Sequence, residues 1–296
     1  MFATLLGPLP RPPLAPNASD LELVEAAVRA QEAAGLEPIT DGGLQNAQSP
    51  LDRWLAMAGI TERAAKQDMV GPFTRARGGV AAAVLEEADA INADLRTLAA
   101  AGCPLIEIHE PAAIEIGKGE AARRLFRDAQ HRLLDGVDGT HLSLAIIGGN
   151  ADETGIETLL SARYASLAVD LIAGPENWRL VVATPGDRGI VCGVLSPEAD
   201  SDDSHEVLLW AAAYAASTAR RGPARVGLAT AGSLSALPWE TAVAKMRRLG
   251  EAARLADLPS EELRRSIDPR AVDIRSAALG RVGPHPRRSR QRRPGR

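Results

Sequence analysis

Three things are scarce in this chain, and each scarcity closes off a class of protein. Aromatic residues make up only 3% of the 296 residues. The interior must therefore be built from Ala, Val, Leu and Ile, and there are few stacking platforms for single-stranded nucleic acid. Cysteine occurs twice, as Cys103 and Cys192, too few for a disulfide framework in a chain of this length. Both lie inside apolar runs and read as buried core thiols. Long apolar stretches are missing too. The longest, around Leu208 to Ala216, is too short to cross a bilayer. The opening MFATLLGPLPRPP has no basic start and too short an apolar stretch for a secretory signal. A cytoplasmic protein without membrane contact is expected. Neither a Gly-x-Gly-x-x-Gly after the first strand nor a Walker-type loop occurs, which argues against a nucleotide-binding open sheet.

What is present is a hydrophobic fraction of 45%, ordinary for a globular protein and ample for one core. The formal charge is −4, but the seven arginines of residues 281–296 mask a body of about −11 over residues 1–280. That acidic body excludes nucleic-acid binding by the fold itself. The Pro-, Gly- and Arg-rich end has almost nothing to bury and reads as a disordered extension over 269–296, following a single folded unit over 1–268.

Along that unit short β-like runs alternate with amphipathic helical runs. Strands are expected at Phe2 to Leu6, Pro38 to Asp41, Val70 to Thr74, Leu105 to Glu110, His141 to Ile147, Leu167 to Ile172, Gly189 to Leu195 and Arg225 to Thr230. Helices are expected between them. Ser19 and Glu22 form a capping-box pattern, and Gly35 is a natural stop for the helix that follows. Other helical runs cover about 49–57, 80–101, 119–134, 154–163, 176–183, 203–220 and 239–256. Eight alternating units predict a parallel sheet closed as a (β/α)8 TIM barrel, and roughly 250 residues suffice for one.

In such a barrel reactive groups lie at the C-terminal ends of the strands. This rule selects Asp41, Thr74, His109, Glu110, Asn150, Asp170, Ser196 and Thr230. His109 and Glu110 are the candidate catalytic pair, an imidazole able to exchange a proton near neutral pH beside a carboxylate. Adjacent strand residues point to opposite sides, so only one of the two faces the mouth while the strand continues. Asp41, Thr74, Asn150, Asp170 and Ser196 are candidate substrate-binding groups. Asp170, inside an apolar run, needs a partner if buried. His141 and Ser143, two apart, share one side of their strand. His131 and His205 fall on helices, away from strand ends.

Several segments, in order, carry a resemblance. Thr4 to Arg11 (TLLGPLPR), Gln31 to Gly35 (QEAAG) with Ile39 to Gly42 (ITDG), Gly71 to Thr74 (GPFT) and Ala101 to Pro111 (AGCPLIEIHEP) are together similar to the motifs of the cobalamin-independent methionine synthase superfamily. The barrels of that superfamily also resemble uroporphyrinogen decarboxylase. The resemblance spans about residues 3–257. It implies a barrel in which zinc activates the homocysteine thiol, which then takes a methyl group from a methylated folate. Carried over by position, the zinc ligands fall on His141, Ser143, Asp170 and Gly232. One histidine and one carboxylate do not make a zinc site, which needs three protein ligands or more, so no zinc is expected. Two carboxylates that would face the amino group of homocysteine fall on Gly43 and His109. Val169 to Asn177, Gly193 with Val194, and Ser233 to Pro238 are similar to the metal-free N-terminal barrel of the long methionine synthases.

Three functions fit this reading. The first is a zinc-free methyltransferase acting on a small molecule, with a folate methyl donor and His109 and Glu110 supplying the base. The second is a non-catalytic ligand-binding or partner-subunit relative that has lost the zinc chemistry. The third is a decarboxylase-like lyase, which needs arginines near the first strand, where Arg11 alone is well placed.

Overall fold

The computed structural model describes residues 1–258, apart from 47, 48, 78 and 202, together with residue 262. The arginine-rich extension over 269–296 lies outside these residues. Seven parallel strands form one curled sheet: β1 (Phe2–Thr4), β2 (Lys66–Val70), β3 (Leu105–His109), β4 (His141–Ile146), β5 (Ser166–Asp170), β6 (Gly189–Leu195) and β7 (Val226–Thr230). Their order is β1-β7-β6-β5-β4-β3-β2. The first strand thus pairs with the last, and the sheet curls back on itself. Helices α1 (Asp20–Ala33), α2 (Pro50–Ala58), α3 (Pro72–Arg75), α4 (Ala81–Ala100), α5 (Glu120–Leu133), α6 (Ile156–Leu159), α7 (Trp178–Ala183), α8 (His205–Ser217) and α9 (Trp239–Ala256) fill the connections. Among the described residues no helix is long and apolar enough to cross a membrane.

Two expected strands turn out differently. The segment after α1 lies between the open edges β1 and β2 but makes only two single bridges, Ala3 to Glu37 and Ile39 to Ala65. Pro38 has no N–H to donate to a ladder, and Asp41 starts a turn at once, accepting the Gly43 N–H at 2.8 Å. The strand expected at 70–74 lies four residues earlier, as β2. Pro72 occupies the first position of α3, where its missing N–H costs nothing, so the chain has already left the sheet. Where local chemistry dominates, sequence and structure agree. Ser19 caps α1 with the reciprocal Glu22 bond of a capping box, and α9 spans the residues expected of it.

Period two separates two surfaces of the sheet. Outward side chains such as Ile106, Ile108, Leu144, Val169, Ile190 and Leu228 are buried under the helices in the main core. Inward positions are smaller: Ala145, Ala168, Val191 and Ala229 cluster with Leu6 and pack against Phe2. A curled sheet leaves little room inside, and Gly227 makes the point. A Cβ there would lie 2.4 Å from the Phe2 ring, so only glycine lets that ring enter the lumen.

The return from α8 to the sheet is held by one buried cation. Arg221 donates to the carbonyls of Arg188 at 3.0 Å, Ala215 at 2.9 Å and Thr184 at 2.9 Å. The Thr184 and Ala215 carbonyls lie at the C-terminal ends of α7 and α8, where the helix dipoles favour positive charge. Replacing Arg221 with Met should lower unfolding stability by about 2–3 kcal/mol, because several carbonyls lose a charged donor. Urea unfolding followed by circular dichroism measures this, and a loss below about 0.5 kcal/mol would contradict it.

Candidate functional site

β2 and β3 place their charged residues inward because their alternate positions are needed for the core. In β3, Ile106 and Ile108 face the helices, so Glu107 and His109 face the lumen. Register pairs Asp68 with Glu107 and Glu107 with Ser143. Lys66 and Glu107 are only 1% and 2% exposed and form an ion pair at 2.6 Å. Lys66 also donates to the Leu5 carbonyl at 2.7 Å, tying β2 to the chain just beyond β1. The His109 Nε2 lies 3.0 Å from the same Glu107 oxygen, and the Ser143 hydroxyl donates to the other oxygen at 3.5 Å. Burial pushes the Glu107 carboxyl upward, but Lys66 and His109 outweigh it and bring it down to about 2. The carboxylate is therefore ionised and can only accept, so the facing Nε2 of the imidazole donates to it. Nδ1 makes no hydrogen bond to another described residue.

A second charged pair forms the rim. The Asp41 carboxylate is buried and takes two bonds from Arg53 of α2, from Nη2 at 2.9 Å and Nε at 3.1 Å. Asp68 lies 3.6 Å from the same guanidinium. Burial opposes the charge on Arg53, and Asp41 and Asp68 more than offset it, so its pKa is raised. Gly43 completes the turn at φ +67, with Pro8 only 2.8 Å from where a Cβ would stand; no side chain fits there. Asp41, Arg53, Asp68, Lys66, Glu107 and His109 line one cavity of about 270 Å³ at the C-terminal mouth.

The other expected residues lie elsewhere. Glu110 follows His109 and, by period two, points the opposite way, into the helix layer. It accepts from the Phe73 and Thr74 N–H groups, the Thr74 hydroxyl and Gln130. It is the anchor of α3, and Thr74 is part of that anchor. Burial pushes its carboxyl above the ordinary range, against those four donors. Tyr164 donates to Gln130 behind it. Asp170 ends β5 and holds the next turn through the N–H groups of Ile172, Ala173 and Gly148. Asn150 is exposed and accepts the Glu176 N–H at 2.8 Å. The Ser196 N–H donates to Asp203, which is paired with Lys245. The Thr230 hydroxyl bonds the Leu6 backbone. Of the pair His109 and Glu110, His109 alone lines the mouth cavity, with Asp41 as its only companion among the expected substrate-binding residues.

The four positions that would correspond to a zinc site do not converge. His141 begins β4 and Asp170 ends β5, and the pairing of Ser143 with Ser166 offsets them by six residues along the strands, about 20 Å. His141 bonds Ser166 at 2.8 Å at the N-terminal end of the sheet. Burial pulls its pKa below the ordinary range. Among the described residues no group of three His, Cys, Asp or Glu is placed to hold a metal ion. Both cysteines are free and buried, and burial pushes the thiols up to about 11 at Cys103 and about 12 at Cys192. The residues present do not fit zinc.

Glu107, Lys66, Asp68 and Arg53 escape a rule that inspects strand ends alone. The signal available for Glu107 was its spacing: it stands two residues before His109 and shares its face.

No family model matches the sequence, and no curated protein matches it. The fold does have solved relatives. A B12-independent methionine synthase from Shewanella sp. W3-18-1, in complex with selenomethionine, superposes with a TM-score of 0.71 at 14% identity, covering 89% of this chain and 98% of that one. A putative vitamin-B12 independent methionine synthase from Listeria monocytogenes gives 0.67 at 14%, covering 86% and 97%. A methyltransferase from Methanosarcina mazei gives 0.55 at 14%, covering 79% and 85%. The fold thus resembles that of methionine synthase-like methyltransferase barrels.

Glu107→Gln should cost about 3–5 kcal/mol, because it leaves Lys66 charged and unpaired in the interior. Lys66→Met with Glu107→Met should recover most of that loss. The wild-type pair also sets an acid limb. Its contribution is complete above the unfolded carboxyl value of about 4.3 and is lost as pH falls through about 2; Glu107→Gln should lack this component. Urea unfolding between about pH 2 and 7 checks both points, and equal stability of wild type and Glu107→Gln would contradict them.

Proposed function

We propose that this chain is a zinc-free, methionine synthase-like methyltransferase whose acceptor is a small molecule bound at the C-terminal mouth. We further propose that the segment bridging β1 and β2 serves as the eighth strand of a closed barrel. The observation that carries the functional reading is the Glu107–His109 pair in the mouth cavity. An ionised carboxylate fixes the imidazole tautomer and leaves Nδ1 free to accept a proton, the arrangement a general base requires. The acceptor's thiol proton passes to Nδ1 as sulfur forms a bond to the methyl carbon. The bond from that carbon to the donor nitrogen breaks, its electron pair stays on nitrogen, and the proton is delivered there. His109 is thus the catalytic residue; Glu107 and Lys66 position it, and Arg53 with Asp41 shapes the acceptor cavity.

About 270 Å³ corresponds to roughly nine water volumes, enough for an amino-acid acceptor. A folate donor would lie across the open rim. Fold likeness to an enzyme solved with selenomethionine supports an amino-acid acceptor. The alternative, a binding protein without chemistry, draws on Gly43, where no side chain can be accommodated, and on a Glu107 already neutralised by Lys66.

The test is methionine formation from homocysteine and 5-methyltetrahydrofolate with metal chelator present, alongside folate binding read from tryptophan fluorescence; Trp54 follows Arg53 directly in α2. Wild type should turn over, and His109→Ala should lower kcat/KM by about 10²–10⁴-fold. Folate binding without turnover would favour the binding reading. Neither binding nor turnover would contradict both.

A further inference from the structure

The lumen has a second opening. A cavity of about 300 Å³ lies at the N-terminal end of the sheet, opposite the mouth, with Phe2, Leu105, His141, Ser166, Asp187 and Arg225 among its lining residues. Its inner wall is the far side of the Lys66–Glu107 pair, since both residues line both cavities. That wall is electrically balanced: the cation and carboxylate neutralise one another at 2.6 Å. The side walls are apolar at Phe2, Pro38, Leu105 and Val191, and the polar groups among them are already paired: Thr4 donates to the Pro38 carbonyl at 2.8 Å, Ser143 donates to Glu107, and His141 bonds Ser166. The rim differs. Asp187 and Arg225 come from the approaches to β6 and β7, neighbouring strands whose register pairs Ile190 with Val226. Both side chains are exposed, and neither is held by another described residue. One carboxylate and one guanidinium therefore stand free at the opening of a chamber whose own polar groups are satisfied within the protein.

We infer that this cavity binds a free α-amino acid with an uncharged, apolar side chain. The ammonium group meets Asp187, and the carboxylate meets Arg225, whose planar fork suits it. The side chain enters between Phe2, Leu105 and Val191. The volume equals about ten waters, which matches a residue of leucine size. A cation or anion alone would satisfy one rim group and leave the other, and a charged side chain would meet walls of apolar and already paired polar groups. The balanced ion pair behind them offers no net charge to answer it. The inference rests on this cavity and holds whether or not the mouth is catalytic.

Isothermal titration of the full chain with L-leucine tests it, beside 3-methylbutylamine, which lacks the carboxylate, and 4-methylpentanoate, which lacks the ammonium. Leucine should bind with a dissociation constant of about 1 mM or tighter, and each analogue at least about tenfold more weakly. Asp187→Asn and Arg225→Gln should each weaken leucine about tenfold. Ala224→Trp, on the exposed rim, should close the opening and abolish binding. All three positions are exposed, and circular dichroism confirms that each variant folds. Absence of leucine binding up to about 20 mM, equal binding of the analogues, or binding that survives Ala224→Trp would each overturn the assignment.

Discussion

A lysine and a glutamate face each other across the interior of the sheet, and each is tolerable there only because of the other. Either charge alone would cost several kcal/mol to bury. Together, with the Leu5 carbonyl on one side and His109 on the other, they form a closed polar unit beside the small apolar side chains of the lumen. The pair does three things at once. It ties β2 and β3 to the chain beyond β1, next to the one junction where the sheet has only single bridges. It divides the lumen into a mouth cavity and an opposite cavity. It keeps Glu107 ionised, and that fixes how the His109 imidazole is oriented.

The division of labour follows from strand geometry. Outward positions hold Ile, Leu and Val under the helices, and their burial stabilises the fold. Inward positions have little room for bulk, so they take Ala168, Val191, Gly193, Gly227 and Ala229 along β5, β6 and β7 and charged groups on β2 and β3. Polar lumen residues gather where small ones leave space, next to the loops after β1 and after the bridging segment. Glu110 shows the other side of the same rule. One residue beyond His109, it faces the helix layer and spends all its acceptor capacity on α3 and Gln130.

The order of strands and helices was legible because capping, turns and apolar periodicity are local signals. Ser19 with Glu22 marks the start of α1, and the Trp239 to Ala256 run reads as a helix from its pattern alone. The edges were less legible. The 38–41 segment has strand-like residues, but Pro38 and the Asp41 turn leave it two bridges, a consequence of neighbours distant in sequence. The candidate site was half legible. Of the residues chosen by strand-end logic, His109 and Asp41 line the mouth cavity, whereas Glu110, Asp170, Asn150 and Ser196 are bonded to adjoining loops and helices. Lys66 was hidden because the strand carrying it starts four residues before the apolar run that suggested it. Its partner Glu107 lies 41 residues further on, and no local pattern links the two.

In the proposed reading, chemistry at the mouth depends on Glu107 and His109 and not on a metal held through His141. Zinc per chain, measured by elemental analysis on freshly purified full-length protein and on its His141→Ala variant, tests this most directly. Zinc far below one per chain is expected in both, because His141 lies at the end of the sheet opposite the mouth. One zinc per chain in the wild type, lost in His141→Ala, would contradict it.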